Sequence, residues 1–443
     1  MREMKDSGIE WIGKIPVNWQ AIPLKWIVKF GKGLPITKDN LIEQGVPVVN
    51  YGQIHSKSNN GTHLQAELIR FVSETYFESN PLSLGKEGDI FFADTSEDYA
   101  GIGNAVLIDT DTPVFAGYHT VIVRPDNQAY SRYLAYLFLT DVWRSQLCSR
   151  ASGIKVFSIT QGLLKKTTVI LPPAEKVVKM TDYLDRKCSQ IDAIIAKQQE
   201  VIEKLKEYKL SVITEAVTKG LNPDVPMKDS GIEWIGKIPE HWNIIKLARI
   251  INSTQNGLTR RNLDKSDGQI VLKLKNISAN GDISYEYQNR IELTEKELNT
   301  YSLSDGDFLF VRVNGSKSLV GKCAVFHSIG ETVAYNDHII RVKISNYCIE
   351  RFLLYYLLSS SGKTEIDLHT STAAGQYTIS GEGLRDVYLT LPLKDEQKQI
   401  VNYLDNKCEQ IDFTITKKQK LIEKLTDYKK SLVYEVVTGK KEV

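Results

Sequence analysis

The sequence predicts an α+β protein in tandem duplication: two mixed domains, each followed by a long helix, with the two helices paired as an antiparallel coiled coil. Two repeated segments and one periodicity predict this fold. The segment MKDSGIEWIGKIP occupies residues 4–16 and recurs at 227–239. YLDRKCSQIDAIIAKQQEVIEKLKEYK at 183–209 recurs as YLDNKCEQIDFTITKKQKLIEKLTDYK at 403–429, and both carry an apolar heptad pattern. A repeat of about 220 residues is far too long for a solenoid unit and therefore indicates duplicated domains.

Composition is that of a globular protein with balanced charge. Of 443 residues, 42% are hydrophobic and 25% are charged, enough for about two to four domains and too apolar for a wholly disordered chain. With 56 Lys and Arg against 54 Asp and Glu, a nucleic-acid surface must come from the arrangement of charges. No apolar run reaches the roughly 18 residues of a membrane span, and the polar start lacks a signal-peptide pattern. Five scattered cysteines without CxxC spacing predict neither a disulfide framework nor a zinc site, and indicate a reducing cytoplasm.

Each copy divides into a globular part, called a head, and a helical part, called a spacer. The expected parts are the first head at 1–170, the first spacer at 171–221, the second head at 222–390 and the second spacer at 391–443. The breaks fall at Leu171-Pro172-Pro173 and Leu391-Pro392-Leu393, because proline ends a strand and can open a helix.

The heads have the pattern of α+β domains. Short β-branched and aromatic runs between Gly, Asn and Asp turns predict strands. The clearest runs are Val46–Val49, Ile90–Phe92, Thr120–Val123, Ile270–Leu274 and Ile339–Val342. One amphipathic helix is expected in each head, near 129–147 and 349–361. Gly88-Asp89 and Gly306-Asp307 predict tight turns before strands, and His119 and His338 recur at matching places.

The spacers carry a coiled-coil seam. Apolar residues step by four and three positions, the 3.5-residue period of a left-handed coiled coil. The expected pairing residues are Leu184, Ile191, Ile195, Ile202, Leu205, Leu404, Ile411, Ile415, Ile422 and Leu425. Polar seam positions at Gln198 with Lys418 and at Lys209 with Lys429 cost stability and could set the register. The alternative is a lone amphipathic helix on its own domain, but about 46 residues at 1.5 Å rise would project ~70 Å, beyond such a domain. Antiparallel pairing would hold the two heads at opposite ends of a rod.

Catalytic signatures are missing from the sequence. Leu357 stands where a phosphate-binding loop ending in Gly362-Lys363-Thr364 needs its first glycine, and the segment Gly315–Lys322 has the wrong spacing. No HExxH, GxSxG or flipped-base tetrad is present. The recurring His119 and His338 are expected to pack beside their strands. The sequence therefore predicts no catalytic residue and no metal site.

The ordered series of motifs resembles the specificity (S) subunit of type I restriction–modification systems. The resemblance covers the whole chain. It comprises DSGIEWIGKIPxxW opening each half, the Gly-Asp pair before an apolar strand, and the Arg312–Ser316 loop with Val320-Gly321-Lys322. It continues through the LPP or LPL break to the YLD…I-D…LIEKL…YK helix. No single motif is unique to the family, whereas the duplicated series is highly specific.

The resemblance implies a division of labour. Each head would be a target-recognition domain, and the two spacers a conserved antiparallel rod. The ligand would be double-stranded DNA with a bipartite asymmetric site. The partners would be two modification (methyltransferase) subunits and two restriction (endonuclease and translocase) subunits. S-adenosylmethionine, ATP and Mg would be bound by those partners, and this chain is expected to be non-catalytic, cytoplasmic, without a cofactor and without a membrane partner.

Residues suited to base or phosphate contact lie on predicted loops and strand faces. Such contacts need Arg, Lys, Asn, Gln, Ser or Thr facing a groove. In the first head the candidates are Lys32, Lys38, Thr95, Ser96 and Lys155; in the second they are Arg260, Arg261, Lys273, Lys275, Arg312, Asn314, Ser316, Lys317 and Gln376. The acids Asp94, Glu97 and Asp98 could accept from cytosine amino groups, or could be solvated turn residues. The repeated tryptophans at 11, 19, 234 and 242 are assigned to packing between each head and the helices, because unlike targets would not require the same stacking residues.

Two other classes of function remain open at this point. One is a coiled-coil adaptor joining two protein-binding heads without DNA recognition. The other is an enzyme with a cryptic active site. Binding to a bipartite DNA site together with the methyltransferase partner separates the first class from a specificity subunit, and activity of the purified chain alone would support the second.

Overall fold

The computed structural model describes residues 3–10, 12–151, 153, 156–260, 267–278, 280–373 and 375–443. These residues divide into two compact units. Unit 1 contains Met1–Lys197 and Lys420–Val443, and unit 2 contains Gln198–Gln419. Each unit therefore holds one head and parts of both long helices.

The first head is built mainly from short strands. They are β1 Met4–Asp6, β2 Lys14–Pro16, β3 Gln20–Pro23, β4 Val28–Lys32, β5 Val46–Val49, β6 Arg70–Val72, β7 Leu84–Gly85, β8 Ile90–Ala93, β9 Thr95–Ser96, β10 Ala105–Leu107, β11 Val114–Ala116, β12 Thr120–Pro125, β13 Phe157–Ser158 and β14 Thr168–Leu171. Its helices are α1 Tyr51–Ile54, α2 Tyr76–Ser79, α3 Ser131–Phe138, α4 Asp141–Cys148 and α5 Gln161–Leu164, and α6 Ala174–Lys219 follows.

The second head repeats this plan. Its strands are β15 Met227–Asp229, β16 Lys237–Pro239, β17 Asn243–Lys246, β18 Ile251–Asn256, β19 Gln269–Leu272, β20 Arg290–Ile291, β21 Phe308–Val311, β22 Val313–Asn314, β23 Cys323–Val325, β24 Val333–Tyr335, β25 Ile339–Ile344, β26 Ser371–Ala373, β27 Gln376–Thr378 and β28 Tyr388–Leu391. Its helices are α7 Glu295–Tyr301, α8 Glu350–Leu358, α9 Ser360–Leu368 and α10 Gly381–Asp386, and α11 Lys394–Val437 follows.

Two sheets form the centre of each head. In the first head an antiparallel sheet has the order β10-β8-β12-β4, and a second sheet, β6-β5-β11-β7, contains the parallel pair β5–β11. The second head has β18-β25-β21-β23, and β20-β19-β24 with the parallel pair β19–β24. All four residues of both β8 and β21 are buried, because one face packs on helices and the other on the second sheet. This two-sided burial explains their unbroken apolar sequence.

The predicted head helix is two helices in each copy. α3 and α4 meet at Thr140, whose side chain accepts from the Trp143 amide, and α8 and α9 meet at Ser359, whose side chain accepts from the Gly362 amide. A hydroxyl cap starts a new helix because it satisfies amides that lack an intrahelical partner. The prediction of one continuous helix in each head was therefore wrong. The predicted turns at Gly88 and Gly306 are confirmed, since both have φ above +80°, which favours glycine.

The long helices pack on their own heads through repeated polar contacts. In unit 1 the Tyr136 hydroxyl donates to Asp185 Oδ1 at 2.6 Å, and Arg132 also pairs with Asp185. In unit 2 Tyr355 donates to Asp405 Oδ1 at 2.5 Å, and Arg351 Nε donates to the same oxygen at 2.9 Å. The Asp residue of each YLD motif thus joins a spacer helix to α3 or α8.

Helices α6 and α11 pair antiparallel within each unit. In unit 1 the Lys429 ammonium lies 2.6 Å from Asp192 Oδ2, and in unit 2 the Lys209 ammonium lies 2.7 Å from Asp412 Oδ2. Lys418 donates to Gln198 Oε1 at 2.9 Å. Residue numbers rise along one helix as they fall along the other, which confirms the predicted antiparallel pairing. The polar seam positions are bonded across the two helices, as a register-setting role requires.

The residues expected to pair these helices are shielded from solvent to different degrees. Leu184, Ile191, Ile202, Leu404, Ile411 and Ile415 are buried, and Ile195, Leu205, Ile422 and Leu425 are partly buried. Trp19 and Trp242 are buried in the cores that join head and helices. Trp234 instead donates to Glu365 of α9 at 2.8 Å, so it packs on its own head. Trp11 lies outside the described residues.

Candidate nucleic-acid interface

The same edge recurs in both heads, where the parallel strand pair ends beside a central strand. In the first head β5 and β11 run parallel, and the chain then turns through 117–119 into β12. In the second head β19 and β24 run parallel, and 336–338 lead into β25. The carboxyl ends of parallel strands expose loops and unpaired backbone groups together, and ligands commonly bind there. We call this region the reading edge.

The backbone of the reading edge is held identically in both heads. The Asp94 amide donates to the His119 carbonyl at 3.0 Å, and the Asp94 carbonyl accepts from the Ile159 amide at 2.6 Å. The Arg312 amide likewise donates to the His338 carbonyl at 2.7 Å, and its carbonyl accepts from the Ile379 amide at 2.9 Å. Asp94 and Arg312 each come directly after the buried central strand. They therefore occupy equivalent positions.

Glycine permits the close approach of strands at this edge. A Cβ added to Gly33 would lie 1.9 Å from the Gly117 carbonyl oxygen, and one added to Gly257 would lie 2.3 Å from the Asn336 carbonyl oxygen. Backbone atoms cannot move aside as a flexible side chain can. Both heads therefore need glycine where β4 or β18 passes the turn that carries His119 or His338.

A cavity of about 600 Å³ opens at the reading edge of the first head. Its walls include Tyr51, His55, Thr95, Ser96 and His119. The His55 Nε2–H group donates to the Thr95 carbonyl at 2.7 Å, while His55 Nδ1 accepts from the Asn104 amide at 3.0 Å. His55 is thus fixed in one tautomer by its neighbours.

His119 is held in an unusual backbone conformation beside Asp94. Among the described residues it is the only non-glycine residue with a positive φ, at 54°. Its Nδ1–H group donates to Asp94 Oδ1 at 3.2 Å, and its ring meets Tyr51 edge to face. Non-glycine residues in this region are uncommon and concentrate at functional sites. Burial, with a smaller contribution from Tyr51, raises the pKa of the neighbouring Tyr118 above its ordinary value of 10.0.

The second head has a basic and amide-rich reading edge. Arg312 Nε donates to the Asp337 carbonyl at 2.9 Å, and Asn314 Oδ1 accepts from the Ser316 amide at 2.9 Å. Strand β27 pairs with β22 so that Tyr377 lies opposite Asn314, which brings the adjacent Gln376 to the same corner. Ser316 and Lys317 are exposed on the loop that follows. Five of the predicted contact residues therefore gather at one place.

Other candidates of the second head have different surroundings. Lys273 directly follows β19 at the reading edge, and the Lys275 ammonium lies 4.2 Å from the centre of the Tyr287 ring. Arg260 bonds to the Glu292 carbonyl and lies 3.5 Å from Glu297 Oε2. Backbone and side-chain hydrogen bonds from Thr294, with a smaller effect of Arg260, lower the pKa of Glu297. Arg261 lies outside the described residues.

In the first head only part of the predicted set is brought together. Thr95 and Ser96 line the cavity, and the Ser96 hydroxyl donates to the Asp98 carbonyl at 2.7 Å. Lys32 is exposed on β4 opposite Val121, and Lys38 is exposed on a separate short turn. Lys155 lies outside the described residues.

Sequence reasoning missed Tyr51, His55 and Asn104 as parts of this edge. Their contacts join segments some 40 or more positions apart in the chain, so no local pattern could indicate them. The sequence did show that His119 and His338 recur at matching places. It left two interpretations of Asp94, as an acceptor from a cytosine amino group or as a solvated turn residue. An alignment of the two halves places Asp94 and Arg312 at the same position, one residue after each central strand. That alignment would have linked Asp94 to the recurring histidines.

The part of the chain that the structure describes contains neither a clustered set of metal ligands nor a membrane-spanning helix. No group of three or more His, Cys, Asp or Glu side chains there is arranged to hold a metal ion. Every helix there is too short or too polar to cross a bilayer.

Comparisons with known proteins identify the family. The family model "Type I restriction modification DNA specificity domain" matches twice, at residues 16–204 and 239–424. The chain therefore belongs to the type I restriction–modification DNA specificity family. Within it the chain is a specificity subunit with two target-recognition domains, and it is a non-catalytic component.

Individual relatives agree with this assignment. The type I restriction enzyme EcoKI specificity subunit of Escherichia coli (strain K12) is 23% identical over 400 residues, covering 89% of this chain and 82% of the relative. The StySPI specificity subunit of Salmonella potsdam is 24% identical over 426 residues, covering 93% and 88%. A solved chain from "Structural basis underlying complex assembly and conformational transition of the type I R-M system" shares the fold, with a TM-score of 0.66, 15% identity and coverage of 96% and 98%.

Proposed function

We propose that the two heads read the two unlike halves of a bipartite asymmetric DNA site and thereby direct partner subunits to that site. One observation carries this proposal: both heads hold the same backbone frame at the reading edge but present different side chains there. Asp94 and Arg312 are the clearest case. Bases are distinguished by the donor and acceptor groups on their edges. Two domains that recognise different base sequences therefore need different side chains, and these can be carried on the same backbone.

The side chains at the reading edges suit contact with DNA. In the second head they are the candidates Arg312, Asn314, Ser316, Lys317 and Gln376, with Lys273 nearby. In the first head they are Thr95 and Ser96, with Lys32 on the adjacent sheet. Arg, Asn and Gln can form two hydrogen bonds to one base, whereas Lys and Ser also contact phosphate. The balanced charge of the chain fits a role in which partner subunits supply part of the phosphate neutralisation.

The partners and cofactors follow from the family. Two modification subunits would bind S-adenosylmethionine and methylate adenine, and two restriction subunits would use ATP and Mg for translocation and cleavage. This chain would bind none of these cofactors and would act in the cytoplasm, where the DNA is. The names of the similar proteins, which are specificity subunits of type I restriction enzymes, support this division.

The paired helices would set the distance between the half-sites. α6 has 46 residues and α11 has 44, which correspond to lengths of about 70 and 66 Å at 1.5 Å per residue. Half-sites about one helical turn of DNA apart, 10–10.5 bp, present the same face to a protein. A rigid pair of helices would therefore permit one spacing and exclude others.

The decisive experiment is methylation by the full chain assembled with its modification subunits, on DNA that contains randomised sites. Sequencing of the methylated positions should show two unlike half-sites separated by a spacer of fixed length and free sequence. Replacing residues 243–390 with the corresponding part of another specificity subunit should alter one half-site only. Absent or sequence-blind methylation and binding would contradict the proposal and favour a protein adaptor, and a change in both half-sites would contradict modular reading.

A further inference from the structure

Residues 94 and 312 combine an identical backbone position with opposite charge. Each has its amide bonded to the carbonyl of the following histidine-bearing turn, and its carbonyl bonded to a buried isoleucine amide, Ile159 or Ile379. These four bonds involve only backbone atoms, so they constrain the chain path and leave the side chain free to differ. The first head places a carboxylate there and the second places a guanidinium.

Both side chains are oriented and retain unused bonding capacity. Asp94 is 34% exposed, and Oδ1 accepts from His119 while Oδ2 has no partner among the described residues. Arg312 is partly buried, and its Nε is anchored on the Asp337 carbonyl. Its two terminal nitrogens have no acceptor in the described part of the chain. A side chain that is held in place by one polar atom, and whose remaining polar atoms are unbonded, is pre-organised to bind a ligand.

We propose that residues 94 and 312 are equivalent base-discriminating positions of opposite chemistry. Asp94 accepts a hydrogen bond from the exocyclic amino group of a cytosine in the half-site of the first head. Arg312 donates from its terminal nitrogens to N7 and O6 of a guanine in the half-site of the second head. These are the base edges that match a carboxylate and a guanidinium. The proposal rests on the DNA-reading function above and assigns one position of each half-site.

A purely structural role for Asp94 makes a different prediction. If the carboxylate only orients His119, Asp94→Asn retains that role, because the amide oxygen can still accept from the His119 Nδ1–H group. Asp94→Asn replaces the other acceptor by a donor, however, so a base-reading role requires a changed preference. The conservative variant therefore separates base contact from orientation.

The test uses the full chain with its modification subunits and a library in which both half-sites are randomised. Asp94→Asn should reduce the preference for cytosine at one position of one half-site by about tenfold to hundredfold. Arg312→Gln should reduce the preference for guanine at one position of the other half-site to a similar extent, and favour adenine there, since a Gln side chain matches adenine. In each case the remaining positions should keep their wild-type preference.

Two variants make the same charge changes away from the reading edge. Asp111→Asn lies before β11, at its opposite end, and Arg249→Gln lies before β18; both side chains are exposed. These controls should leave both half-sites unchanged. If Asp94→Asn does not fold, as judged by circular dichroism, Asp94→Ser takes its place, and Arg312→Gln tests the second position independently.

The failure of this inference is distinguishable from the failure of the proposed function. A wild-type assembly that methylates no bipartite site would overturn the function itself. A wild-type assembly with a defined site, together with variants that change only the yield and keep every base preference, would overturn the assignment of positions 94 and 312 alone.

Discussion

Reversing one charge in the helix pair should weaken unit 2 in a way that a compensating reversal repairs. The Lys209 ammonium donates to both oxygens of Asp412, at 2.7 and 2.9 Å. The lysine side chain is 18% exposed and the aspartate side chain 50% exposed. Lys209→Asp replaces this attraction by repulsion between two carboxylates on facing helices. Lys209→Asp combined with Asp412→Lys restores an ion pair of opposite orientation.

The magnitude follows from the distance and the exposure. Two unit charges 4 Å apart interact by about 1 kcal/mol in water and about 4 kcal/mol at an effective dielectric constant of 20. Because the aspartate is half exposed and Asp is shorter than Lys, we expect a loss of about 1–2 kcal/mol, near the lower figure. With an m-value of about 3 kcal/mol/M in urea, the midpoint of unfolding should fall by about 0.3–0.7 M.

The assay is urea unfolding of the full chain, followed by far-ultraviolet circular dichroism, which reports the helices. The matched control is Lys206→Asp, one turn away on the same helix, where Lys206 pairs with Glu203 of its own helix at 2.8 Å. Exposed pairs of that kind contribute about 0.3–0.5 kcal/mol, so its effect should be small. Equal losses for Lys209→Asp and Lys206→Asp, or no recovery in the double variant, would refute the reasoning.

Three further predictions concern other contacts. Tyr136→Phe removes the hydroxyl that donates to Asp185 and should cost about 1.5–3 kcal/mol, measured by urea unfolding; no loss would mean that water replaces the bond. Burial raises the pKa of Asp307 above its ordinary value of 3.8 and outweighs the opposite effects of a backbone hydrogen bond and nearby cations. The stabilising contribution of the protonated Asp307 to the free energy of unfolding is therefore complete below pH 3.8, and it is lost as pH rises through the raised pKa. As pH rises from 3.8 through the raised pKa, wild type should therefore lose stability relative to Asp307→Asn, and parallel urea midpoints of the two proteins would disprove this. One heptad inserted in each helix at the bonded level of Gln198 and Lys418 should lengthen the recognised spacer by ~10 Å, roughly 3 bp, and an unchanged methylation spacer would exclude the helices as a ruler.

Repetition and heptad periodicity were sufficient to predict the duplicated architecture and the antiparallel helices. Both signals depend on residues that are close in sequence or repeated exactly, so a single chain displays them directly. The division of the head helix escaped prediction because Thr140 and Ser359 sit within an apolar periodic run, and only their bonds to the third following amide reveal them as caps.

The reading edge was predicted less completely, for a physical reason. Arg312, Asn314 and Gln376 were selected by residue type, and the strand pairing of β22 with β27 brings them together. Arg260 was selected by the same criterion, yet its guanidinium faces Glu297. Residue type predicts what a side chain can bind, whereas the partner it meets depends on contacts far apart in the sequence. His55 escaped prediction for the same reason, because both of its ring nitrogens bond to residues that are distant in the sequence.

The arrangement of contacts explains why the spacers are repeated so closely while the heads diverge. Asp192 of the first copy bonds to Lys429 of the second, and Lys209 of the first bonds to Asp412 of the second. Each of these spacer residues therefore bonds to a residue of the other copy. A substitution in one copy breaks that bond unless the partner residue in the other copy also changes. Positions 94 and 312 at the reading edges have no such reciprocal constraint, because the bonds that hold them join backbone atoms only. Substitutions at the edges that would meet DNA therefore cost little stability, whereas substitutions along the paired helices cost more. A duplicated chain of this kind can thus come to recognise two different half-sites without losing its frame.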